Sequence, residues 1–189
     1  MPTPHSRRRS VRLVCAHVAL AALALLGIPA ASRAAPMAHE YDVKAVYLLG
    51  FAKFIRWPAS AFANAKAPFV IGVLGKDPFK GRLARACANG AVGGRPVVIR
   101  HLKRGAPLKG CHIVFVCDSE KRHMARTIAG IGGAPVLMIG DFAGFAAKGG
   151  HFNFIPLGGG VSYEFNPGAA GRNGFTIPAK IQSPGTRVP

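Results

Sequence analysis

The chain is poor in acidic residues. Seven of its 189 residues are Asp or Glu, against 25 Lys and Arg, so the formal net charge is +18 at pH 7. General acid–base catalysis often needs carboxylates placed within reach of the reacting group. The most evident pair in the sequence, Asp118 and Glu120, suits the positive end of a helix dipole and needs no catalytic role. This scarcity argues against an acid–base enzyme.

The common catalytic and metal-binding signatures are also missing. The sequence has no Gly-x-Ser-x-Gly elbow, no phosphate-binding Gly-x-x-x-x-Gly-Lys-Ser/Thr loop and no His-Glu-x-x-His pair. Zinc sites need closely spaced Cys or His ligands, and here both residue types stand singly. Gly72 and Gly75 flank a strand end as in a nucleotide site, but Asp77 follows at the helix cap and repels phosphate. We therefore predict no enzyme, no cofactor and no metal.

The N-terminus has the three parts of a secretory signal. Four arginines between positions 7 and 12 precede an apolar run from Val14 to Ile28, and small residues follow up to Ala34. This pattern predicts a signal peptide over residues 1–34 that is cleaved after export, which places the mature chain in the periplasm. The alternative is an uncleaved membrane anchor, but a span needs about 20 apolar residues and this run is shorter.

The mature chain stays basic. Twenty basic and seven acidic residues remain after residue 34, a net charge of +13. Export removes nucleic acid from reach, and no basic run alternates with aromatic residues as in a stacking surface, so we expect no nucleic-acid binding. The charge favours contact with anionic envelope surfaces, although it is also explained by composition and solubility alone.

Apolar runs alternate with helical patterns over most of the mature chain. Residues 38–57 carry apolar side chains at spacings of three and four, which predicts a helix that Pro58 ends. Helices are also expected after Asp77 and from residue 118 or 119 to 131. Short apolar runs predict buried strands at 68–75, 96–102, 112–117 and 135–140. Together these elements predict an α/β fold, with a mainly parallel sheet flanked by helices in a Rossmann-like three-layer sandwich.

The C-terminal part changes character. Residues 151–157 and 160–166 alternate between apolar and polar side chains around a glycine turn, which predicts an antiparallel hairpin at the sheet edge. We expect a single domain over residues 35–182 and a disordered tail over residues 183–189.

Three cysteines lie in the mature chain, which allows one disulfide and one free thiol in an oxidising compartment. Cys111 and Cys117 are six residues apart in one predicted strand, about 20 Å, which is beyond disulfide reach. In a parallel α/β sheet, Cys87 near the end of a returning helix lies at the edge where the strand of Cys111 begins. We therefore predict a Cys87–Cys111 disulfide.

Two sets of residues are candidates for binding. The first helix offers a partner or dimer surface, with core burial as the alternative, through Tyr47, Phe51, Phe54 and Trp57. Near the C-terminus, Glu164 and Asn166 form a candidate polar site. The alternative for Glu164 is a structural pair with His151 or a lysine across the hairpin.

Several segments resemble the YfiR-like family of periplasmic proteins, in the family's order and over nearly the whole mature chain. They are Glu40–Ala45, Phe51–Pro58 (FAKFIRWP), Ile71–Phe79 (IGVLGKDPF), Gly94–Val97, Cys111–Phe115 (CHIVF), Pro135–Leu137, Phe145–Phe154 and Val161–Asn166 (VSYEFN).

The resemblance implies a non-enzymatic regulator with an α/β sandwich fold, often a homodimer. It implies that the protein binds the periplasmic sensor region of an inner-membrane diguanylate cyclase, or of another membrane sensor protein. Repression of the cyclase would lower cyclic di-GMP and biofilm formation. An alternative function, from the charge and from Glu164 and Asn166, is an envelope ligand-sensing module that binds a small molecule or a cell-wall fragment.

Overall fold

Five α-helices and eight strands occur among residues 34–189, the part of the chain that the computed structural model describes, with side chains described from His39 onward. The signal peptide predicted for residues 1–34 falls outside this part, apart from Ala34. Residues Met37–Pro189 form one compact unit. The helices are α1 (Ala34–Phe54), α2 (Arg82–Cys87), α3 (Met124–Ala129), α4 (Pro167–Arg172) and α5 (Ala179–Gln182), with short 3-10 helices at Ala59–Ala61 and Asp118–His123.

All eight strands join one sheet in the order β2-β3-β1-β4-β5-β6-β7-β8. The pairs from β3 through β1, β4 and β5 to β6 are parallel, while β2–β3 and β6–β7 are antiparallel. This confirms the predicted mainly parallel α/β sheet and its C-terminal hairpin. The strands are β1 (Phe69–Leu74), β2 (Ala91–Val92), β3 (Arg95–Leu102), β4 (Ile113–Val116), β5 (Leu137–Gly140), β6 (Phe152–Leu157), β7 (Gly160–Phe165) and β8 (Thr186–Arg187).

The central strands are apolar on both sides because helices cover both faces of the sheet. In β1, Phe69, Ile71 and Val73 point to the face that carries α1 and α2, which we call the α1 face. Val70 and Leu74 point to the opposite face, where α3 packs, which we call the α3 face. The result is the predicted three-layer arrangement.

Helix α1 packs on the sheet through one side only. Ala45, Leu48, Phe51 and Ala52 are buried, and they form the inner side at spacings of three and four residues. After the helix, the backbone N–H of Arg56 donates to the carbonyl of Thr176, so the chain leaves α1 as part of a bridge to the C-terminal segment.

The C-terminal end differs from the sequence expectation. The segment predicted to be disordered, residues 183–189, contains β8, which pairs in parallel with β7 at Glu164 and Phe165. The N–H of Val188 also donates to the carbonyl of Phe165. The residues after 182 are too short and polar to show a strand pattern, and they are ordered because β7 offers them an unpaired edge.

Two glycines near the end of β5 have a packing role beyond turn formation. A Cβ added at Gly140 would lie 2.5 Å from the ring of Phe145, and one at Gly150 would also overlap that ring. Phe145 is fully buried on the α3 face. Glycine at these positions lets the backbone approach a large core side chain.

Candidate functional site

The four aromatic residues predicted as a partner surface do not share one environment. Phe51 is 1 % exposed and stacks on Phe152 with the ring centroids 4.5 Å apart. Tyr47 is half-buried and meets Tyr163 edge to face. Half-buried Trp57 donates its indole N–H to the carbonyl of Ala52. The structure therefore places Tyr47, Phe51 and Trp57 in or against the core.

Phe54 is the exposed member of the set, and it belongs to a different side of α1. Its side chain is 46 % exposed and that of Val46 is 65 % exposed, with Gly50 one turn from each. Nothing lies within 4 Å of the position that a Cβ on Gly50 would occupy. We call Val46, Gly50 and Phe54 the outer face of α1. Apolar spacing alone does not show which of these side chains face solvent, because α1 is apolar on two sides.

Cationic side chains surround the Phe54 end of this outer face. Lys53 and Arg56 are exposed nearby in sequence. Lys180 of α5 places its Nζ 3.5 Å from the centroid of the Phe54 ring, a cation–π contact. The outer face is thus an apolar strip with a positively charged end, which suits a partner that is apolar and acidic.

A buried ionic cluster fixes the N-terminal half of α1 to the end of β5. Lys44 is 4 % exposed, and its Nζ lies 2.6 Å from Glu40 and 3.2 Å from Asp141. The hydroxyl of Tyr41 donates to the same Asp141 oxygen at 2.7 Å. Burial, together with the charge of Asp141, raises the pKa of Tyr41 well above its usual range, so Tyr41 stays a neutral donor.

The candidate polar site is a set of structural hydrogen bonds. Glu164 accepts a hydrogen bond at 3.0 Å from the side-chain amide of Asn153, its cross-strand neighbour in the hairpin. Asn153 is fully buried, and its carbonyl oxygen accepts from the N–H of Phe142. Glu164 thus has an amide partner, and not the His151 or lysine considered from the sequence.

Asn166 caps α4. Its side-chain oxygen accepts from the N–H of Ala169 at 2.8 Å, the usual geometry of an N-cap. Its side-chain nitrogen donates to the main-chain oxygens of Ala146 and Pro189. Asn166 is 4 % exposed and fully satisfied, so it joins three segments of the fold and has no donor left for a ligand.

His151 lies in a second buried network. The side chain is fully buried; its Nδ1 accepts from the N–H of Met138 at 2.7 Å, and its Nε2 lies 3.1 Å from the side-chain oxygen of Asn173. Asn173 then donates to the carbonyls of Gly132 and Ala134. Burial lowers the pKa of His151 to about 4, so the imidazole is neutral at physiological pH. No sequence pattern indicated Asn173, which lies 22 residues further along the chain.

The predicted Cys87–Cys111 disulfide is absent, and this expectation was wrong for the described chain. Cys87, Cys111 and Cys117 are free and buried. Cys87 packs on the α1 face and Cys111 on the α3 face, so the sheet separates them. Sheet topology places both cysteines at the same end of the sheet, but it does not specify which of the two faces each one lies on. Burial raises the pKa of all three thiols, that of Cys117 to about 12.

Within residues 39–189, no group of three or more His, Cys, Asp or Glu side chains is placed to hold a metal ion. Among the described helices, none combines the length and apolar character that crossing a bilayer requires. A search of curated proteins found no match to the chain.

A comparison with protein families gives a match over most of the chain. The model of the YfiR/HmsC-like family matches residues 41–183, which run from the start of the buried α1 cluster to the end of α5. The chain belongs to the YfiR/HmsC-like family. This family acts in the regulation of cyclic di-GMP signalling and is regulatory rather than catalytic. It is a periplasmic family whose role implies interaction with a membrane sensor protein.

The family match covers most of the residues described above, but not Glu40 at its N-terminal side or Pro189 at its C-terminal side. It includes the outer face of α1, the ionic cluster at Asp141 and both buried amide networks. Of these, the outer face of α1 is the one that leaves large apolar side chains in solvent. The polar side chains of the clusters are bound inside the fold, although Oδ1 of Asp141 is buried without a hydrogen-bond partner among the described residues.

Proposed function

We propose that this protein is a periplasmic repressor of an inner-membrane diguanylate cyclase. It binds the periplasmic sensor region of the cyclase and holds it in the inactive state, which lowers cyclic di-GMP and biofilm formation. Membership of the YfiR/HmsC-like family is the observation that carries this proposal. A repressor of this kind works by binding the inactive state of its target more tightly than the active state.

The outer face of α1 is the proposed contact surface. Val46 and Phe54 are two of the four large apolar side chains that are exposed among the described residues, and both lie on this face. The adjacent Lys53, Arg56 and Lys180 favour an acidic sensor region. Apolar anchors of this kind, surrounded by charged residues, are typical of the centre and rim of a protein interface.

Loss of the gene tests the function in the cell. Deletion should raise cyclic di-GMP, and re-expression of the wild-type protein should return it to the starting level. A Val46→Asp/Phe54→Asp protein should accumulate normally in the periplasm and fail to restore the level, because two carboxylates would be placed in an apolar contact.

Leu157 supplies the matched control. It is 65 % exposed, like Val46, but it lies at the tip of the β6–β7 hairpin. A Leu157→Asp protein should restore cyclic di-GMP as the wild type does. Unchanged cyclic di-GMP in the deletion strain would contradict the repressor role, and full restoration by the double variant would contradict the proposed surface.

A further inference from the structure

The strands on either side of β1 place a crevice at one edge of the sheet. The chain leaves β1 towards β3 through α2 on the α1 face, and it leaves β4 towards β5 through α3 on the α3 face. The strand order therefore reverses between β1 and β4. In open α/β sheets, ligands bind outside the carboxyl ends of the strands at such a reversal.

A cavity of about 420 Å³ lies at this edge on the α3 face. Its walls are the end of β1, the loop that joins β3 to β4, and α3 with the residue before it. The residues that determine its chemistry are Leu74, Arg104, Pro107, Leu108, His123 and Arg126. The volume is within the range of about 300–1,000 Å³ that is usual for small-molecule sites.

The polar part of the lining is cationic. Arg126 is exposed and forms no ion pair with a carboxylate of residues 39–189. Arg104 is held in place by Glu120, which accepts from its Nε at 2.8 Å and from one Nη at 3.2 Å. Its second Nη has no hydrogen-bond acceptor among the described residues, and the side chain is 59 % exposed.

No carboxylate lines the cavity itself. The ion pair with Glu120 offsets the charge of Arg104, so Arg126 supplies the positive charge that has no carboxylate partner among residues 39–189. Glu120 is 4 % exposed and does not line the cavity, so it orients the guanidinium of Arg104 from behind the cavity wall. An arginine that is oriented by a buried carboxylate loses little side-chain freedom when it binds an anion. The opposite part of the lining is apolar, with Leu74, Pro107 and Leu108.

We propose that this cavity binds a small organic anion that carries an apolar group, with the anion at Arg104 and Arg126 and the apolar group against Leu74 and Leu108. The site lies on the α3 face, whereas the outer face of α1 belongs to a helix on the opposite side of the sheet. The ligand site is therefore independent of the proposed repressor surface, and either one can hold if the other fails.

A pair of fluorescent probes tests the charge requirement on the purified protein. Anilinonaphthalene sulfonate is an organic anion, and phenylnaphthylamine is its uncharged parent with the same two aromatic systems. The anionic probe should bind one site per chain at least tenfold more tightly than the neutral probe. Equal affinity for the two probes would overturn the proposed role of the arginines.

Two variants locate the binding. Arg126→Gln should weaken the anionic probe about tenfold, the equivalent of about 1.4 kcal/mol, and leave the neutral probe unchanged. Ala106→Leu should reduce the binding of both probes, because Ala106 lines the cavity and a larger side chain would fill it. Arg85→Gln is the matched control. Arg85 is exposed on α2, so this substitution removes one positive charge at a distance from the cavity.

Circular dichroism confirms that each variant is folded before the titrations are compared. If the anionic probe does not bind, or binds to Arg126→Gln and Ala106→Leu as it does to the wild type, the cavity is not an anion site. If Arg85→Gln weakens binding as much as Arg126→Gln, the effect comes from overall charge and the proposal is also wrong.

Discussion

Acidification should destabilise the fold through His151. In the folded chain the imidazole accepts from the N–H of Met138 and its other nitrogen faces the side-chain oxygen of Asn173. Protonation would place a second N–H against the Met138 N–H in a site that excludes water. The folded state therefore resists a proton that the unfolded chain binds readily.

The size of the effect follows from the shift of the pKa. The pKa of His151 is lowered from 6.5 to about 4, mainly by burial. Between these values the unfolded chain binds more protons than the folded chain, so stability is fully present above pH 6.5 and is lost as the pH falls towards 4. One pKa unit is worth about 1.4 kcal/mol, so the loss between pH 7 and pH 5 is about 2 kcal/mol from this residue.

Urea unfolding at several pH values, followed by the fluorescence of the single tryptophan, Trp57, measures this loss. A His151→Gln protein can keep both hydrogen bonds but cannot take up the proton, so its free energy of unfolding should fall about 2 kcal/mol less over the same range. Some pH dependence remains, because burial also lowers the pKa of His112.

His101 provides the control for this experiment. Its imidazole is 65 % exposed beside Asp77, and a His101→Gln protein should keep most of the wild-type acid sensitivity. The reasoning is refuted if His151→Gln and the wild type lose the same stability between pH 7 and pH 5.

Three further variants or measurements test the buried clusters. Asn166→Ala removes the α4 cap and two side-chain hydrogen bonds, so it should lower the free energy of unfolding by about 2 kcal/mol. Asn166→Asp keeps the cap and should lower it less. Equal losses in urea titrations would contradict this. Asp141→Ala should lower the free energy of unfolding by about 3–5 kcal/mol, because it leaves buried Lys44 with Glu40 as its one carboxylate partner. Adding Lys44→Met should recover part of this loss. No recovery would contradict the ionic cluster. A digest under non-reducing conditions should contain no linked Cys87 and Cys111 peptides, because the sheet lies between the two thiols, and recovery of that linked pair would contradict the topology.

The sequence was sufficient for the order and type of most elements. Buried parallel strands such as Phe69–Leu74 are short, continuous apolar runs between turn residues, and this signal is local. The β6–β7 hairpin was also predictable, since alternation on both sides of a glycine turn defines it within 15 residues. Local patterns therefore carried the fold class.

The details of the sites depend on contacts that local patterns do not contain. The side of α1 that faces solvent was not predictable, because Val46 and Phe51 are both apolar. Packing against the sheet leaves Val46 65 % exposed and Phe51 1 % exposed. The predicted Cys87–Cys111 pairing was wrong because strand polarity determines the end of the sheet at which a residue lies, but not which face of the sheet it is on. The partner of His151, Asn173, comes from a turn after α4 that has no pattern of its own.

The proposed contact between α1 and a membrane cyclase is tested most directly by photo-crosslinking in cells. A benzoylphenylalanine placed at position 54 should crosslink to an inner-membrane diguanylate cyclase, because Phe54 lies on the outer face of α1. The same probe at position 157 on the hairpin, where Leu157 is 65 % exposed against 46 % for Phe54, should give no such product. A cyclase crosslinked from 54 and not from 157 is the predicted result; crosslinks to the cyclase from neither position would contradict repression by contact through this helix.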